Sequence, residues 1–248
     1  MAKQLSNADK FLDVYNELDK FMRQRLNAGD YKGHTKLLEE MKQRYTIVNS
    51  YYEELKDYAK LRNAIVHESK EGVKPIAEPH DITVKNYYAI AQTIINPPKA
   101  LEKIAVSYTN IFTATLKDNA LEIMEKMHKH TFTHVPVVDE DDKLLGIFSE
   151  NTVFSYLVEH RILETDQDNT IEEFADFLPI EKHKSEYFEF VPKSTLVMDI
   201  EEMFKQGLKD DKRISVIFIT ENGKKEEKIL GLITPWDVAG YDGICFRY

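Results

Sequence analysis

Lys143-Leu-Leu-Gly-Ile-Phe-Ser-Glu-Asn-Thr-Val153 returns, diverged, as Lys228-Ile-Leu-Gly-Leu-Ile-Thr-Pro-Trp-Asp-Val238. Glycine to glycine, the two copies stand 85 residues apart. In each, an apolar run ends in a hydroxyl residue, Ser149 or Thr234, placed to cap a helix. Short helices are expected upstream, over residues 122–129 and 199–205. Buried-strand runs are expected over 133–139 and 213–219. Glu221-Asn-Gly223 marks a hairpin in the longer second copy. Each copy therefore reads strand–helix–strand–strand–helix, and the pair forms an internal repeat.

Ahead of the repeat the periodicity is helical. Ser6-Asn-Ala-Asp9 reads as a capping box, followed by Phe11, Val14, Tyr15, Leu18, Phe21, Met22 and Leu26 on one face. Asn27-Ala-Gly-Asp30 breaks that helix. A second helix is predicted from about residue 35 to 67. Its seam is Leu38, Met41, Tyr45, Val48, Tyr52, Leu55, Ala59, Arg62 and Val66. Arg62 sits inside that seam, where a charge costs stability unless it is paired or used. A loop with Pro75 and Pro79 leads to a third helix carrying Val84, Tyr87, Tyr88, Ala91, Ile94 and Ile95. Asn96-Pro-Pro98 stops it. The expected class is α + α/β: an all-helical domain over 1–98, then repeat units over 99–165 and 166–248.

Composition narrows the function classes. Charged residues make up 31% of the 248 residues and hydrophobic residues 42%, enough apolar mass for packed cores. The longest apolar runs, such as 214–219 broken by Ser215, are far below the ~20 residues that span a bilayer. The N-terminal MAKQLSNADKF has no apolar h-region, and Cys245 is the only cysteine. Both features lead us to expect a reducing cytoplasm and no membrane. Net charge is −10, yet residues 1–100 hold 16 Lys and Arg against 14 Asp and Glu. The acidic remainder argues against DNA binding there.

The repeated segments suggest a ligand chemistry. Thr234 is placed at an N-cap, Pro235 at N1 and Asp237 at N3. Free amides at a helix start suit a phosphate, and an acid one turn in can accept from ribose hydroxyls. The same residues also suit a plain helix cap, and both readings stand at this stage. His128, His130 and His134 do not share one helix face, so no metal site is expected.

Val135-Pro-Val-Val-Asp139, a hairpin, then Gly-h-h-[Ser/Thr]-x-x-Asp entering a helix resembles a CBS domain. Two in tandem resemble a Bateman module over about residues 101–240. The resemblance implies two βαββα motifs packed as a pair, sensing an adenosine-containing ligand (AMP, ADP, ATP or S-adenosylmethionine) and regulating a partner. It implies the ribose and phosphate roles for Asp237 and Thr234, and a phosphate-facing role for Arg213. In the first copy Ser149 is kept, Thr152 stands at the acid position and His134 at the arginine position. That site is expected to be weak or empty.

Arg62-Asn-Ala-Ile-Val-His67 is similar to the Arg-x4–6-His motif of HEPN domains, and the likeness runs over about residues 8–98. It implies a metal-independent endoribonuclease as one alternative, with Arg62, Asn63 and His67 catalytic, RNA as partner, and the repeat as its gate. The other readings are an ion pair from Arg62 to Asp57 or Glu68, or a ligand or dimer contact. The leading expectation is a nucleotide-sensing regulatory homodimer. A structural homodimer with degenerate sites is the third alternative.

Overall fold

Ser6 and Asp9 close the first turn of α1 (Asn7–Leu26). Asp9 N donates to Ser6 Oγ at 3.1 Å and Ser6 N to Asp9 Oδ2 at 3.2 Å, a box that contributes about 1 kcal/mol. Asn27, left-handed at φ 49°, ends the helix where the break is expected. The computed structural model describes residues 5–67, 77–162 and 166–241, and only the backbone of His67. Glu68, Pro75, Cys245 and the His67 side chain lie outside the described residues.

The first of two units ends at Pro98 and continues with α2 (His34–Arg44), α3 (Thr46–Ser50), α4 (Tyr52–His67) and α5 (Asp81–Ile95). The single helix expected over 35–67 is therefore broken twice. Tyr45 is extended at φ −117°, ψ 119°, and Tyr51 lies at φ −107°, ψ 14°. Thr46-Ile-Val48 is a β-branched run with weak helix propensity. Tyr45 is buried, and its hydroxyl accepts from Arg25 Nε at 3.2 Å, which ties this break to α1. The seam survives as far as Ala59, with Leu38, Met41, Tyr45, Val48, Tyr52, Leu55 and Ala59 all buried, but beyond it Ile65 takes the buried position expected of Val66, and Arg62 and Val66 are half-buried. Phe11 of α1 meets Tyr87 of α5 at 4.8 Å between ring centroids.

The second unit starts at Lys99. Its elements are α6 (Ala100–Lys103), β1 (Val106–Ser107), α7 (Ala120–His130), β2 (His134–Val138), β3 (Leu144–Ser149) and α8 (Glu150–His160). Then come β4 (Glu186–Pro192), α9 (Val197–Gln206), β5 (Leu208–Lys209), β6 (Lys212–Thr220), β7 (Gly231–Ile233) and α10 (Pro235–Ala239). The first copy forms the antiparallel pair β2–β3, its leading strand reduced to a bridge from Ala114 to Val137. The second forms a sheet of order β1-β7-β6-β4, with β5 on β6. β4 and β6 run parallel, joined through α9. The two sheets share a core in which Val138, Leu144 and Ile147 meet Phe188, Val216, Phe218 and Ile229.

The glycine kept in both copies has a steric cause. A Cβ at Gly146 would lie 2.3 Å from the Leu178 carbonyl oxygen, which accepts from Ile147 N at 2.8 Å. A Cβ at Gly231 would lie 3.0 Å from the Val106 oxygen of β1. At both positions another backbone passes where a side chain would stand.

Candidate functional site

The second unit contains a cleft of about 280 Å³ at the start of α10. Ile111, Phe112, Phe132, Val216 and Leu232 form its apolar walls, and Thr133, His134, Thr234 and Asp237 its polar lining. Phe112 and Phe132 stack at 5.9 Å with their planes 25° apart. Trp236, 83% exposed, lines the cleft. Asp237 Oδ2 accepts from Thr234 N and from Thr234 Oγ1, each at 2.7 Å. Oδ1 has no protein partner among the described residues and keeps its acceptor positions. The Thr234 proton points to Asp237, so in this state the hydroxyl offers lone pairs rather than a donor. α10 has only five residues, too short for a full macrodipole.

In the first copy the equivalent residues are closed in. Ser149 and Thr152 are 1% and 2% exposed. Ser149 N donates to Thr152 Oγ1 at 3.1 Å, and Thr152 N donates back to Ser149 Oγ at 3.2 Å. Thr152 Oγ1 donates to the Ile147 carbonyl at 3.0 Å. The structure brings His134 to the cleft that contains Thr234 and Asp237. Arg213 does not line it. Arg213 is the second residue of β6, opposite Glu186, side chain exposed, its N–H on the Ser185 carbonyl at 3.2 Å.

Glu186 is a hub that periodicity does not reveal. His134 Nε2 meets its Oε2 at 2.7 Å, His183 Nδ1 its Oε1 at 2.9 Å, and Ser215 Oγ donates to Oε2 at 2.9 Å. Asn151 Nδ2 adds a bond at 3.3 Å. Burial alone pushes this carboxyl up. The bonds from His134, His183 and Ser215 outweigh it and hold the group far below the usual carboxylate range. The sequence signal available was a lone acid opening a buried strand, three residues after a histidine. Among the described residues no group of three His, Cys, Asp or Glu is placed to hold a metal.

In the helical unit Arg62 and Asn63 lie on α4, and Arg62 Nη1 donates to Asn63 Oδ1 at 3.4 Å. Asp57 pairs with Lys60 at 2.7 Å, not with Arg62. The Arg62 guanidinium instead lies over the Tyr15 ring, 5.1 Å from its centroid.

Residues 104–159 match a family model described as the CBS domain. No curated protein matches the chain. Several solved structures are similar. The structure of CBSX2 in complex with AMP is 13% identical with a TM-score of 0.40, over 57% of this chain and 93% of that one. The CBS domain pair of protein MJ0100 in complex with 5-methylthioadenosine and S-adenosyl-L-methionine is 19% identical with a TM-score of 0.38, over 58% and 94%. The CBS domains of a transcriptional regulator from Streptococcus pneumoniae are 12% identical with a TM-score of 0.39, over 58% and 98%. Among the described residues, no helix is long and apolar enough to cross a membrane.

Proposed function

We propose that the cleft beside Thr234 and Asp237 binds an adenosine-containing small molecule, and that the chain is a regulatory sensor working as a homodimer. One observation carries this reading. Asp237 is held rigid through Oδ2 while Oδ1 stays open at the rim of an aromatic-walled cleft. An open carboxylate oxygen accepts from a ribose hydroxyl, and the apolar walls, Phe112 and Phe132 among them, suit a planar base. The CBS match over 104–159 supports the same reading. Among the described lining residues there is no Lys or Arg. AMP or S-adenosylmethionine should therefore bind more tightly than ATP, whose extra phosphates meet no cation in that lining, Lys126 lying instead over the Phe112 ring at 5.7 Å. The closed Ser149–Thr152 pair supports a single working site. The helical unit, HEPN-like in its Arg62-Asn63 motif, is the output element in this reading.

Trp236 is the only tryptophan. Titration with AMP, ATP or S-adenosylmethionine should change its fluorescence saturably, and Asp237→Ala should abolish the response. Silence in fluorescence and calorimetry with all three ligands would sink the reading. The endoribonuclease alternative is favoured by the Arg62 Nε, which is buried without a partner among the described residues. Its test is RNA cleavage in chelator, lost on Arg62→Ala and on His67→Ala.

A further inference from the structure

Thr133, His134 and Glu186 form a hydrogen-bonded chain from the lining of the second unit's cleft into its interior. Thr133 and His134 line the cleft, and Glu186 is buried behind them. Glu186 is ionised despite its burial, so it only accepts. His134 Nε2, 2.7 Å from Oε2, therefore carries a proton. The other ring nitrogen, Nδ1, lies 2.8 Å from Thr133 Oγ1. Ser215 Oγ donates to Oε2 at 2.9 Å, while His183 Nδ1 and Asn151 Nδ2 hold Oε1 at 2.9 and 3.3 Å. Donors on both oxygens fix the carboxylate, and the carboxylate fixes which way the His134 ring faces.

The direction of the Thr133 hydrogen bond depends on the charge of the ring. In the neutral ring Nδ1 has a lone pair, so Thr133 donates to it and has only its own lone pairs left for a ligand. In the imidazolium Nδ1 donates, Thr133 accepts, and the hydroxyl proton is free. One added proton thus turns an acceptor in the lining into a donor beside a positive charge. His183 offers no such route, because its Nε2 is buried with no partner among the described residues. Phe188 meets the His134 ring edge-on at 5.9 Å. The other titratable groups around it are Asp237 of α10, in the same lining, and His130 of α7, stacked on Phe132 at 5.6 Å. Lys212 is held on the His183 carbonyl at 2.7 Å. With the ribose on Asp237 and the base on the apolar walls, the 5′ substituent is left to the remaining polar lining, which includes Thr133 and His134. We propose that Thr133, His134 and Glu186 select the 5′ end of the ligand by protonation: the neutral ring favours an adenosine with a cationic 5′ group, and the protonated ring one with an anionic 5′ group. Glu186 is the positioning residue, since it keeps one proton on Nε2 and leaves Nδ1 to Thr133. This selection rests on the adenosine reading of the cleft.

The probes are adenosine 5′-sulfate, 5′-deoxy-5′-(dimethylsulfonio)adenosine and adenosine, whose charges are constant over the working pH range. Each is titrated into the full-length protein by calorimetry, on either side of the pH at which the 15N resonances of the His134 ring show Nδ1 taking its proton. Nε2 should keep its own proton on both sides. On protonation, the sulfate should gain about tenfold in affinity relative to adenosine and the sulfonium should lose about tenfold, as expected for a charge-assisted contact made or opposed. Thr133→Val leaves the buried carboxylate untouched and should remove most of both changes, and Thr133→Ser should keep them. His130→Gln should leave them whole. Several outcomes would overturn the selection while the adenosine reading stands. They are sulfate and sulfonium affinities that move together, a ring whose Nδ1 does not titrate in the folded protein, an Nε2 without its proton, full changes in Thr133→Val, or changes lost in His130→Gln. Failure of all three probes to bind on both sides of the titration would overturn both.

Discussion

Ser149-Glu-Asn-Thr152 and Thr234-Pro-Trp-Asp237 perform the same local task and end in different surroundings. Both open a helix after a strand whose glycine admits a neighbouring backbone. The first is sealed, its hydroxyls bonded to each other and to the Ile147 carbonyl. The second stands at the rim of a cleft with a carboxylate oxygen to spare. A capping pattern thus reports a helix start in both copies and a candidate site in only one. Burial separates them, because a buried polar pair must satisfy itself while an exposed one can serve a ligand.

The largest test of this difference is steric. Gly146→Ala should destabilise the protein by about 3 kcal/mol or more in urea unfolding, because its Cβ would meet the Leu178 backbone. Gly231→Ala should cost about 1 kcal/mol, the neighbouring atoms needing to give only slightly. Equal losses would mean that the two copies are packed alike. Next comes the cap itself. Thr152→Val strands the Ser149 amide in the interior and should cost about 1–3 kcal/mol. Asp237→Asn keeps an acceptor for Thr234 N at a partly exposed position and should stay within about 0.5 kcal/mol. A larger penalty at Asp237 than at Thr152 would reverse the assignment of structural and open copies.

The smallest effect contrasts the two units under acid. Burial holds His34 below the ordinary 6.5 in the folded chain, so the unfolded chain takes the proton more readily. The helical unit should lose stability as pH falls through 6.5. Glu186 is also depressed, from an ordinary 4.5, so its contribution persists down to that pH and is lost only below it. Amide protection factors in α1 and α2, which divide out the base-catalysed intrinsic rate, should therefore fall between pH 7.5 and 5.5, with those of β6, in the second unit, showing no such fall over the same range. The reverse order of loss would contradict the placement of His34 as a buried neutral ring.

Much of the architecture was legible because it is local. The Ser6–Asp9 box, the stop at Asn96-Pro97-Pro98, the seam from Leu38 to Ala59 and the repeated glycines follow from backbone sterics and the 3.6-residue period. These act over a few residues, so the sequence alone determines them. The break at Tyr45 needed the tie to Arg25, which tertiary packing supplies. The same holds for the sites. Thr234 and Asp237 are neighbours in the chain and could be read together. His134 joins their cleft, Arg213 does not, and Glu186 gathers two histidines, only through how the strands align. His34 stands one turn before Leu38 on the buried face of α2, and it shares a cleft with Asp19 and Arg62 only when α1, α2 and α4 pack. Periodicity says which face of an element is buried. Which polar groups then meet depends on distances between elements, and the folded chain alone sets those.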